Sequence, residues 1–179
     1  RVGISYKDRE HVAAVLRDGK PVISRPVLGK KRNLPLISMV VPVLDAQGRV
    51  IGVLTGVTDL DKPNFLDKIA QSRYGQAGGY LLMAPQHGVF VTATDKTRTM
   101  QPLPAPGSNA MYDRYMQGFE GYGVAVSSRG VEELSAAKGI PTAGWLLAVA
   151  VPTAEAFAPV TAMQQGLKTV KVKGRVEPV

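Results

Sequence analysis

Hydrophobic and polar positions alternate most regularly along residues 35–60, which read PLISMVVPVLDAQGRVIGVLTGVTDL. A period of two is typical of β-strands, because successive side chains of a strand point to opposite faces of the sheet. The pattern is interrupted where Asp45 and Gly48 favour a tight turn. The segment therefore predicts an antiparallel hairpin. Since Pro42 cannot donate a ladder hydrogen bond, we expect an edge or a bulge at that point of the first strand.

The two faces of the second strand of this hairpin differ in bulk. Gly52 and Gly56 lie on one face, together with Val50 and Leu54. The other face carries β-branched side chains that suit packing, namely Ile51, Val53, Thr55 and Val57. Because glycine leaves room for a close approach, we expect another group to lie against the glycine face, so that the sheet cups it.

The residues before the hairpin have the spacing of a helix. Val12, Val15 and Leu16 form an apolar stripe with a period near that of the α-helix. Ser5 and the carboxylate three residues later resemble a capping box, and Gly19 stands where a helix usually ends. The pattern predicts a helix that begins after Ser5 and ends shortly before Gly19.

Arg9 is the most informative residue of this helix, because it falls on the same inward face as Val12. Burying an unpaired guanidinium is costly, so an arginine that points toward a sheet needs an anionic or carbonyl partner. Alternatively, the stem of Arg9 packs while its head reaches water, or it pairs with Asp8 or another nearby acid. The sequence leaves both interpretations open.

Further strands and helices are predicted on both sides of the hairpin. Residues 21–27 have the composition of a strand, and residues 61–70 that of a short helix with Asp61 as its cap and Pro63 in its first turn. After a glycine-rich connector, we predict strands at 79–84, 89–94, 123–127, 131–138 and 143–151, and helices at 112–119 and 153–167, the latter capped by Thr153.

Strand-turn-strand units separated by short helices predict an α+β fold of antiparallel sheets flanked by helices. We divide the chain into two lobes, an exit helix and a tail that we expect to be poorly ordered, at 1–72, 76–152, 153–167 and 168–179. The first lobe has too few strands to close a sheet alone, so we expect it to be incomplete at its N-terminus. Trp145 opens the closing strand and should be buried.

Composition and charge narrow the class of protein. The 179 residues are 45% hydrophobic and carry a formal net charge of +8, an ordinary globular mixture with a basic surface. Basic residues are spread along the chain, with small clusters at 30–32 and 168–175, and aromatic residues make up only 6%. Nucleic-acid-binding proteins usually concentrate charge among aromatic residues, so we expect no nucleic-acid partner. A solvated basic surface near anionic lipid fits this charge better.

The sequence offers little for catalysis. It contains no cysteine, which excludes disulfides and thiolate metal sites, and no apolar run reaches the roughly 18 residues of a membrane-spanning helix. His11 and His87 have no metal-ligand partner at helical spacing and no arrangement for nucleophilic catalysis. The glycine-rich residues 75–79 precede a strand rather than a helix, unlike a phosphate-binding loop. We therefore expect neither an enzyme nor a cofactor.

Several short segments follow one another in a characteristic order. They are Asp8-Arg9-Glu10-His11, residues 19–24 (GKPVIS), residues 39–54 (MVVPVLDAQGRVIGVL), residues 78–82 (GGYLL), residues 144–147 (GWLL) and residues 151–155 (VPTAE). Together they resemble the double Cache sensors, which are PAS-like extracytoplasmic modules of bacterial receptors. The resemblance covers about residues 1–165.

The resemblance implies the periplasmic part of an inner-membrane receptor. Residues 1–60 would be the second part of a membrane-distal lobe, and residues 76–152 a membrane-proximal lobe. The exit helix would lead to the chain's own transmembrane span and to a methyl-accepting, histidine-kinase or GGDEF/EAL output domain. The ending PTAEAFAP at 152–159 looks most like those attached to GGDEF-type diguanylate cyclases. A homodimer is an option that the resemblance leaves open for the full-length receptor.

The resemblance also implies a small-molecule ligand. Amino-acid-binding members carry an arginine on the distal helix, followed by two aromatic residues, and an aspartate at the end of a later strand. Arg9 matches, but His11 and Val12 stand in place of the aromatic residues and Val57 in place of the aspartate, with Asp59 nearby. An organic acid or another small anion therefore fits Arg9 and His11 better than an α-amino acid.

We expect a distal site for such an anion at Arg9, His11, Ser38, Thr55 and Asp59. A second set of candidates lies in the proximal lobe, at Tyr80, Thr92 and Asp95. The alternative is a structural or dimerisation module that has lost its ligand, with the glycine face of the hairpin filled by side chains. A cavity beside Arg9 would distinguish the two.

Overall fold

The computed structural model describes residues 3–29 and 33–173, and it has the predicted α+β fold with antiparallel sheets. The strands are β1 (Val22–Ile23), β2 (Val27–Leu28), β3 (Pro35–Leu44), β4 (Val50–Asp59), β5 (Gly79–Ala84), β6 (Val89–Ala93), β7 (Gly121–Val126), β8 (Glu132–Ile140) and β9 (Trp145–Pro152). The helices are α1 (Glu10–Asp18), α2 (Asp67–Gln71), α3 (Ala110–Met116), α4 (Thr153–Ala156) and α5 (Ala158–Lys173). The basic cluster at 30–32 and the end of the predicted tail, 174–179, lie outside the described residues.

The first sheet is built around the hairpin of β3 and β4, which confirms the prediction. β4 pairs along one edge of β3, and the short strands β1 and β2 pair one after the other with its opposite edge. Asp45 accepts the N–H groups of Gln47 at 3.0 Å and Arg49 at 2.8 Å, and Gly48 has a φ of 77°. These bonds close the turn. Pro42 pairs only with β4, as expected for an edge position.

The second sheet has five strands in the order β6-β5-β9-β8-β7, and all of its neighbouring strands are antiparallel. Helix α3 covers one face of this sheet through the buried side chains of Met111 and Tyr115. β9 is the central strand, and α4 follows it without an intervening loop. The chain therefore leaves this lobe from the middle of its sheet.

One group of buried side chains, which we call the interlobe cluster, connects the two sheets. From the first lobe it includes Ile37, Leu60 and Leu66, and from the second lobe Leu82, Ala84, Val91 and Trp145. Ile37 is 1% exposed and Trp145 is 7% exposed. The predicted burial of Trp145 is thus confirmed, and this side chain belongs to a cluster that includes residues from both sheets.

The start of the first helix differs from the prediction, while its end agrees. α1 begins at Glu10 with Arg9 as its N-cap, so the predicted capping box at Ser5 is wrong. A backbone turn comes first, in which the N–H of Arg9 donates to the carbonyl of Tyr6 at 3.0 Å. Gly19 ends the helix in the left-handed conformation, with a φ of 63°.

The predicted strand at 21–27 is interrupted between β1 and β2. The hydroxyl of Ser24 accepts the N–H of Ser38 at 2.9 Å and donates to the carbonyl of Arg25 at 2.8 Å. Pro26 has no N–H to offer a neighbouring strand. A side chain therefore replaces a ladder hydrogen bond here, and the strand divides into two short pieces.

The helix predicted at 61–70 begins at Asp67 instead, so the cap assigned to Asp61 is wrong. The side chain of Asn64 accepts the N–H of Leu66 at 2.9 Å, and Asp67 accepts the N–H of Asn64 at 2.8 Å. These reciprocal bonds satisfy N–H groups at the start of α2, which leaves Asp61 in the preceding turn.

The helices of the second lobe also shift. Thr153 is the first residue of α4 and not its cap, since its hydroxyl donates to the carboxylate of Glu132 at 2.7 Å. Helical conformation continues through α5 to Lys173, past the predicted end at 167, where we expected a poorly ordered tail. α3 ends at Met116 rather than 119 and is capped by Asn109.

The glycine face of the hairpin is exposed around Gly52 and Gly56, contrary to our expectation. A Cβ added at Gly52 would meet no atom within 4 Å. The apolar residues beside the two glycines on this face are exposed, namely Met39, Val41, Val43 and Leu54. Ile37, at the far end of the same face, is buried in the interlobe cluster. Helix α1 packs on the β-branched face instead, where Val12, Val15 and Val40 are buried.

Replacing Ile37 with alanine should lower the free energy of unfolding by about 2–5 kcal/mol, because it removes buried methylene groups from the interlobe cluster. Val43→Ala is a matched control, since Val43 is 42% exposed and exposed substitutions usually change stability by less than about 0.5 kcal/mol. Urea denaturation followed by the fluorescence of Trp145 measures both variants. Similar, small effects of the two substitutions would contradict the role given to Ile37.

Candidate functional site

Helix α1 crosses the β-branched face of the hairpin and leaves a cavity of about 630 Å³ between helix and sheet. We call it the hairpin cavity. The residues predicted for the distal site all line it: Arg9, His11, Ser38, Thr55 and Asp59. A volume of several hundred Å³ is typical of sites for small molecules.

The strand register explains why the sheet residues of this set share one face. Ser38 is opposite Val57 in the β3–β4 ladder, and Asp59 is opposite Leu36. Directly opposed residues of an antiparallel pair have their side chains on the same face. Thr55 lies two residues from Val57, so it belongs to that face as well.

Arg9 enters the cavity from the N-cap of α1. Its guanidinium donates to the carbonyl of Leu28 at 3.3 Å. Among the described residues, no carboxylate forms an ion pair with it. The structure therefore agrees with the first interpretation, in which Arg9 has a carbonyl partner. One such bond leaves most of the N–H groups of the guanidinium available for a ligand.

His11 lies beside Arg9 and is partly buried. Burial lowers the pKa of His11 from its ordinary value of 6.5, and the charge of Arg9 lowers it further, against a weaker opposing effect of Glu10. His11 is therefore uncharged at neutral pH. An uncharged imidazole offers one hydrogen-bond donor and one acceptor.

The remaining predicted residues differ in depth. Ser38 is buried at the floor, while Thr55 is exposed near the mouth of the cavity. Asp59 accepts the N–H of Asp61 at 3.1 Å through one carboxylate oxygen, which leaves the acceptor capacity of its other oxygen for a ligand. The cavity thus combines one guanidinium and one carboxylate with an apolar wall.

That apolar wall was missed by sequence reasoning. It includes Tyr6 from the turn before α1, Val27 of β2, and Val53 and Val57 of β4. The alternation of β4 did place Val53 and Val57 on the face of Thr55, but we assigned that face to packing. Nothing in the sequence pattern marked Tyr6 or Val27.

The second set of candidates is divided by the structure. Tyr80 and Asp95 line another cavity, of about 490 Å³, on the α3 side of the second sheet. Thr92 is not among the residues that line it. Thr92 is buried in β6, and its hydroxyl has no hydrogen-bond partner among the residues that the structure describes.

Two further observations concern the described residues as a whole. In residues 3–29 and 33–173, histidine, aspartate and glutamate side chains do not gather in groups of three or more that could hold a metal ion. Within the same ranges, no helix has both the length and the apolar character needed to cross a lipid bilayer.

Comparison with protein families identifies one match, to the model described as Cache domain, over residues 4–160. This range includes both sheets, the hairpin cavity and the start of the exit helix. No curated protein matches the sequence.

Solved structures with this fold come from receptors of several kinds. The periplasmic sensory domain of the Campylobacter jejuni chemoreceptor Tlp1 has a TM-score of 0.62 at 20% identity and covers 86% of this chain and 58% of its own. The extracellular domain of the putative histidine kinase mmHK1S-Z3 has a TM-score of 0.72 at 16% identity, with coverages of 89% and 59%. The ligand-binding domain of the Pseudomonas fluorescens chemoreceptor CtaA, in complex with L-alanine, has a TM-score of 0.60 at 16% identity, with coverages of 88% and 65%. The chain therefore spans about three fifths of the length of these domains.

The contact between Arg9 and His11 can be tested by titration. NMR titration should place the pKa of His11 below 6.5, and Arg9→Gln should raise it part of the way back, because burial remains. The folded state disfavours protonation of His11, so this residue makes the protein less stable as pH falls through about 6.5. Arg17→Gln, on the exposed end of α1, is the matched control and should leave the pKa of His11 unchanged. A His11 pKa that is equal in the Arg9 and Arg17 variants would contradict the electrostatic contact.

Proposed function

The chain belongs to the Cache domain family, and we propose that it is the extracytoplasmic ligand-sensing part of a transmembrane signalling protein. The ligand in this proposal is a small anion, such as an organic acid, bound in the hairpin cavity. Cache domains act as sensor modules rather than catalysts, and the similar solved structures include sensory domains of chemoreceptors and histidine kinases.

The observation that carries this proposal is the position of Arg9. Its guanidinium lines a cavity of about 630 Å³ and has a carbonyl partner but no ion pair among the described residues. A partly desolvated guanidinium binds a carboxylate through two parallel hydrogen bonds. His11, uncharged and adjacent, can donate a further hydrogen bond to the same group.

Asp59 favours a second candidate ligand, an α-amino acid. Its carboxylate lines the same cavity as Arg9, so the two side chains could hold the ammonium and the carboxylate of one zwitterion. The similar domains of Mlp24 and CtaA were solved with asparagine and with L-alanine. Amino-acid-binding members carry an aspartate at the position of Val57. In this chain Asp59, two residues later, would then bind the ammonium instead.

The non-binding alternative, a structural or dimerisation module, has less support. It requires side chains to fill the space beside Arg9, but that space is a cavity. It also requires side chains against the glycine face, and the described residues of this chain place none within 4 Å of a Cβ at Gly52.

The signal would leave through β9 and α4. β9 is central in the second sheet, and α4 follows Pro152 directly, so a displacement of the strand must move the helix. A ligand can drive such a displacement only if it binds one arrangement more tightly than the other. We propose that a membrane span follows this helix, that the output is a GGDEF-type diguanylate cyclase, and that the full-length receptor functions as a homodimer.

Arg9→Ala should weaken binding about ten- to a hundredfold, because a charged hydrogen bond in such a site contributes roughly 1.5–3 kcal/mol. The ligand is first found by a thermal-shift screen of the 179-residue chain against small carboxylates and amino acids, and its affinity is measured by calorimetry. Arg17→Ala, outside the cavity, is the control for loss of one positive charge. An affinity that Arg9→Ala leaves unchanged would place the ligand elsewhere.

Asp59→Asn separates the two ligand classes. For an organic acid, the substitution should leave affinity unchanged or increase it slightly, since it removes a negative charge from the site. For an α-amino acid, it should weaken binding at least tenfold, because the ammonium loses its charged partner. The asparagine oxygen can still accept the N–H of Asp61, so the end of β4 should keep its conformation. Calorimetry of this variant with the same ligand therefore decides between the candidates.

A further inference from the structure

The second sheet has a cavity of its own, which we call the α3 cavity. It has a volume of about 490 Å³ and lies between the sheet and the elements above it, including α3 and the segment at 127–129. Its residues come from a different lobe than those of the hairpin cavity, and the two lining sets share no member. The α3 cavity is therefore a separate candidate site.

Small side chains on neighbouring strands make the floor of this cavity. Gly79 of β5 is opposite Ala150 of β9, and Ala150 is opposite Ser135 of β8. Ala148, two residues from Ala150, is on the same face, and Ala125 of β7 continues it. A row of glycine, alanine and serine across four strands leaves space above the sheet that larger residues would fill. The floor is apolar apart from the Ser135 hydroxyl, which bonds the hydroxyl of Tyr115 at 3.0 Å.

The rim of the α3 cavity is predominantly basic. Its charged residues are four cations, Arg73, Lys96, Arg98 and Arg129, and two anions, Asp95 and Glu133. Lys96 pairs with Asp67 outside the cavity, and Arg129 lies 3.9 Å from Glu133. The carboxylate of Asp95 accepts both the N–H and the hydroxyl of Thr97, the latter at 2.6 Å.

Two of these cations, Arg73 and Arg98, have no ion pair among the described residues, and Arg98 is the one held against an aromatic ring. Its guanidinium lies over the ring of Phe90, 5.5 Å from the centroid, and among the described residues it forms no ion pair with a carboxylate. A guanidinium stacked on an aromatic ring is held in place while its N–H groups remain available.

Tyr112 of α3 adds a hydroxyl next to this guanidinium. The hydroxyl is buried and, within the described part of the chain, has no hydrogen-bond partner at normal distance and angle, although Arg98 acts on it electrostatically. Burial raises the pKa of Tyr112 to about 12, against an opposing effect of Arg98, so the group is a protonated donor at neutral pH. A buried donor without a partner is uncommon, and a bound acceptor would satisfy it.

We propose that the α3 cavity is a second ligand site, which binds an organic anion with an apolar body. Arg98 and the hydroxyl of Tyr112 hold the anionic group, and the apolar body lies on the alanine and glycine floor. This site does not depend on the hairpin cavity, and it takes a carboxylate that carries a ring or an alkyl chain rather than a bare inorganic anion.

The experiment uses the complete chain with benzoate and hexanoate as probes, and with acetate and phosphate as comparison anions. Binding is measured by calorimetry and located by amide chemical shifts. Benzoate or hexanoate should bind at millimolar concentration or below, more tightly than acetate or phosphate, and should shift amides of residues 79–81 and 148–150. Binding of phosphate and acetate as tight as that of benzoate and hexanoate would overturn the proposed apolar subsite.

Three variants test the geometry. Arg98→Met should weaken binding at least tenfold, Tyr112→Phe should weaken it several-fold, and Ala150→Leu should block it by filling the floor without changing charge. Arg17→Met is the matched surface control, and Arg9→Ala should leave this binding unchanged while it affects only the hairpin cavity. If Arg98→Met fails to fold, the Tyr112 and Ala150 variants decide. The proposal is overturned if neither benzoate nor hexanoate binds, if binding survives Ala150→Leu and Tyr112→Phe unchanged, or if Arg9→Ala abolishes it.

Discussion

The interlobe cluster fixes the position of the hairpin relative to the second sheet. Ile37 of β3 and Trp145 of β9 lie in that cluster, and both are almost fully buried. Successive residues of a strand point to opposite faces, so Ile37 packs into the cluster while Ser38, its neighbour, lines the hairpin cavity. The floor of the cavity and the packing between the lobes are thus opposite sides of the same strand. A movement of β3 that enlarges or narrows the cavity must also disturb the contacts of Trp145.

Local signals made the hairpin predictable. Alternation over residues 35–60 and the turn chemistry of Asp45 and Gly48 depend on neighbours in sequence, and the structure reproduces both. The starts of the helices were not predictable in this way. α2 begins where the side chain of Asn64 accepts the N–H of Leu66 and that of Asp67 accepts the N–H of Asn64. α1 begins after a backbone turn, so composition alone placed both starts too early.

The candidate site shows the same division between local and tertiary information. The period of two correctly placed Thr55 with Val57 on one face. The apolar stripe of the first helix drew attention to Arg9, and the resemblance to double Cache sensors then matched it. The pattern could not show which face a helix would cover, because that depends on where α1 crosses the sheet. Helix α1 packs over Val40 but leaves Val53 beside open space. The β-branched face that we assigned to packing therefore also forms the wall of the cavity, and the glycine face stays exposed around Gly52 and Gly56.

Local charge, rather than the net charge of +8, distinguishes the two cavities. The hairpin cavity combines Arg9 with Asp59, while the α3 cavity has more cations than anions at its rim.

The connections of the two cavities to the exit helix differ as well. The hairpin cavity reaches β9 through Ile37 and Trp145, whereas Ala77 at the rim of the α3 cavity donates its N–H directly to Glu155 of α4 at 2.9 Å. Because Glu155 also accepts the N–H of Gln76, the connector between the lobes is attached to the first turn of the helix. Ligands in the two cavities would thus act on one helix by separate routes, and their effects could combine without any contact between the ligands.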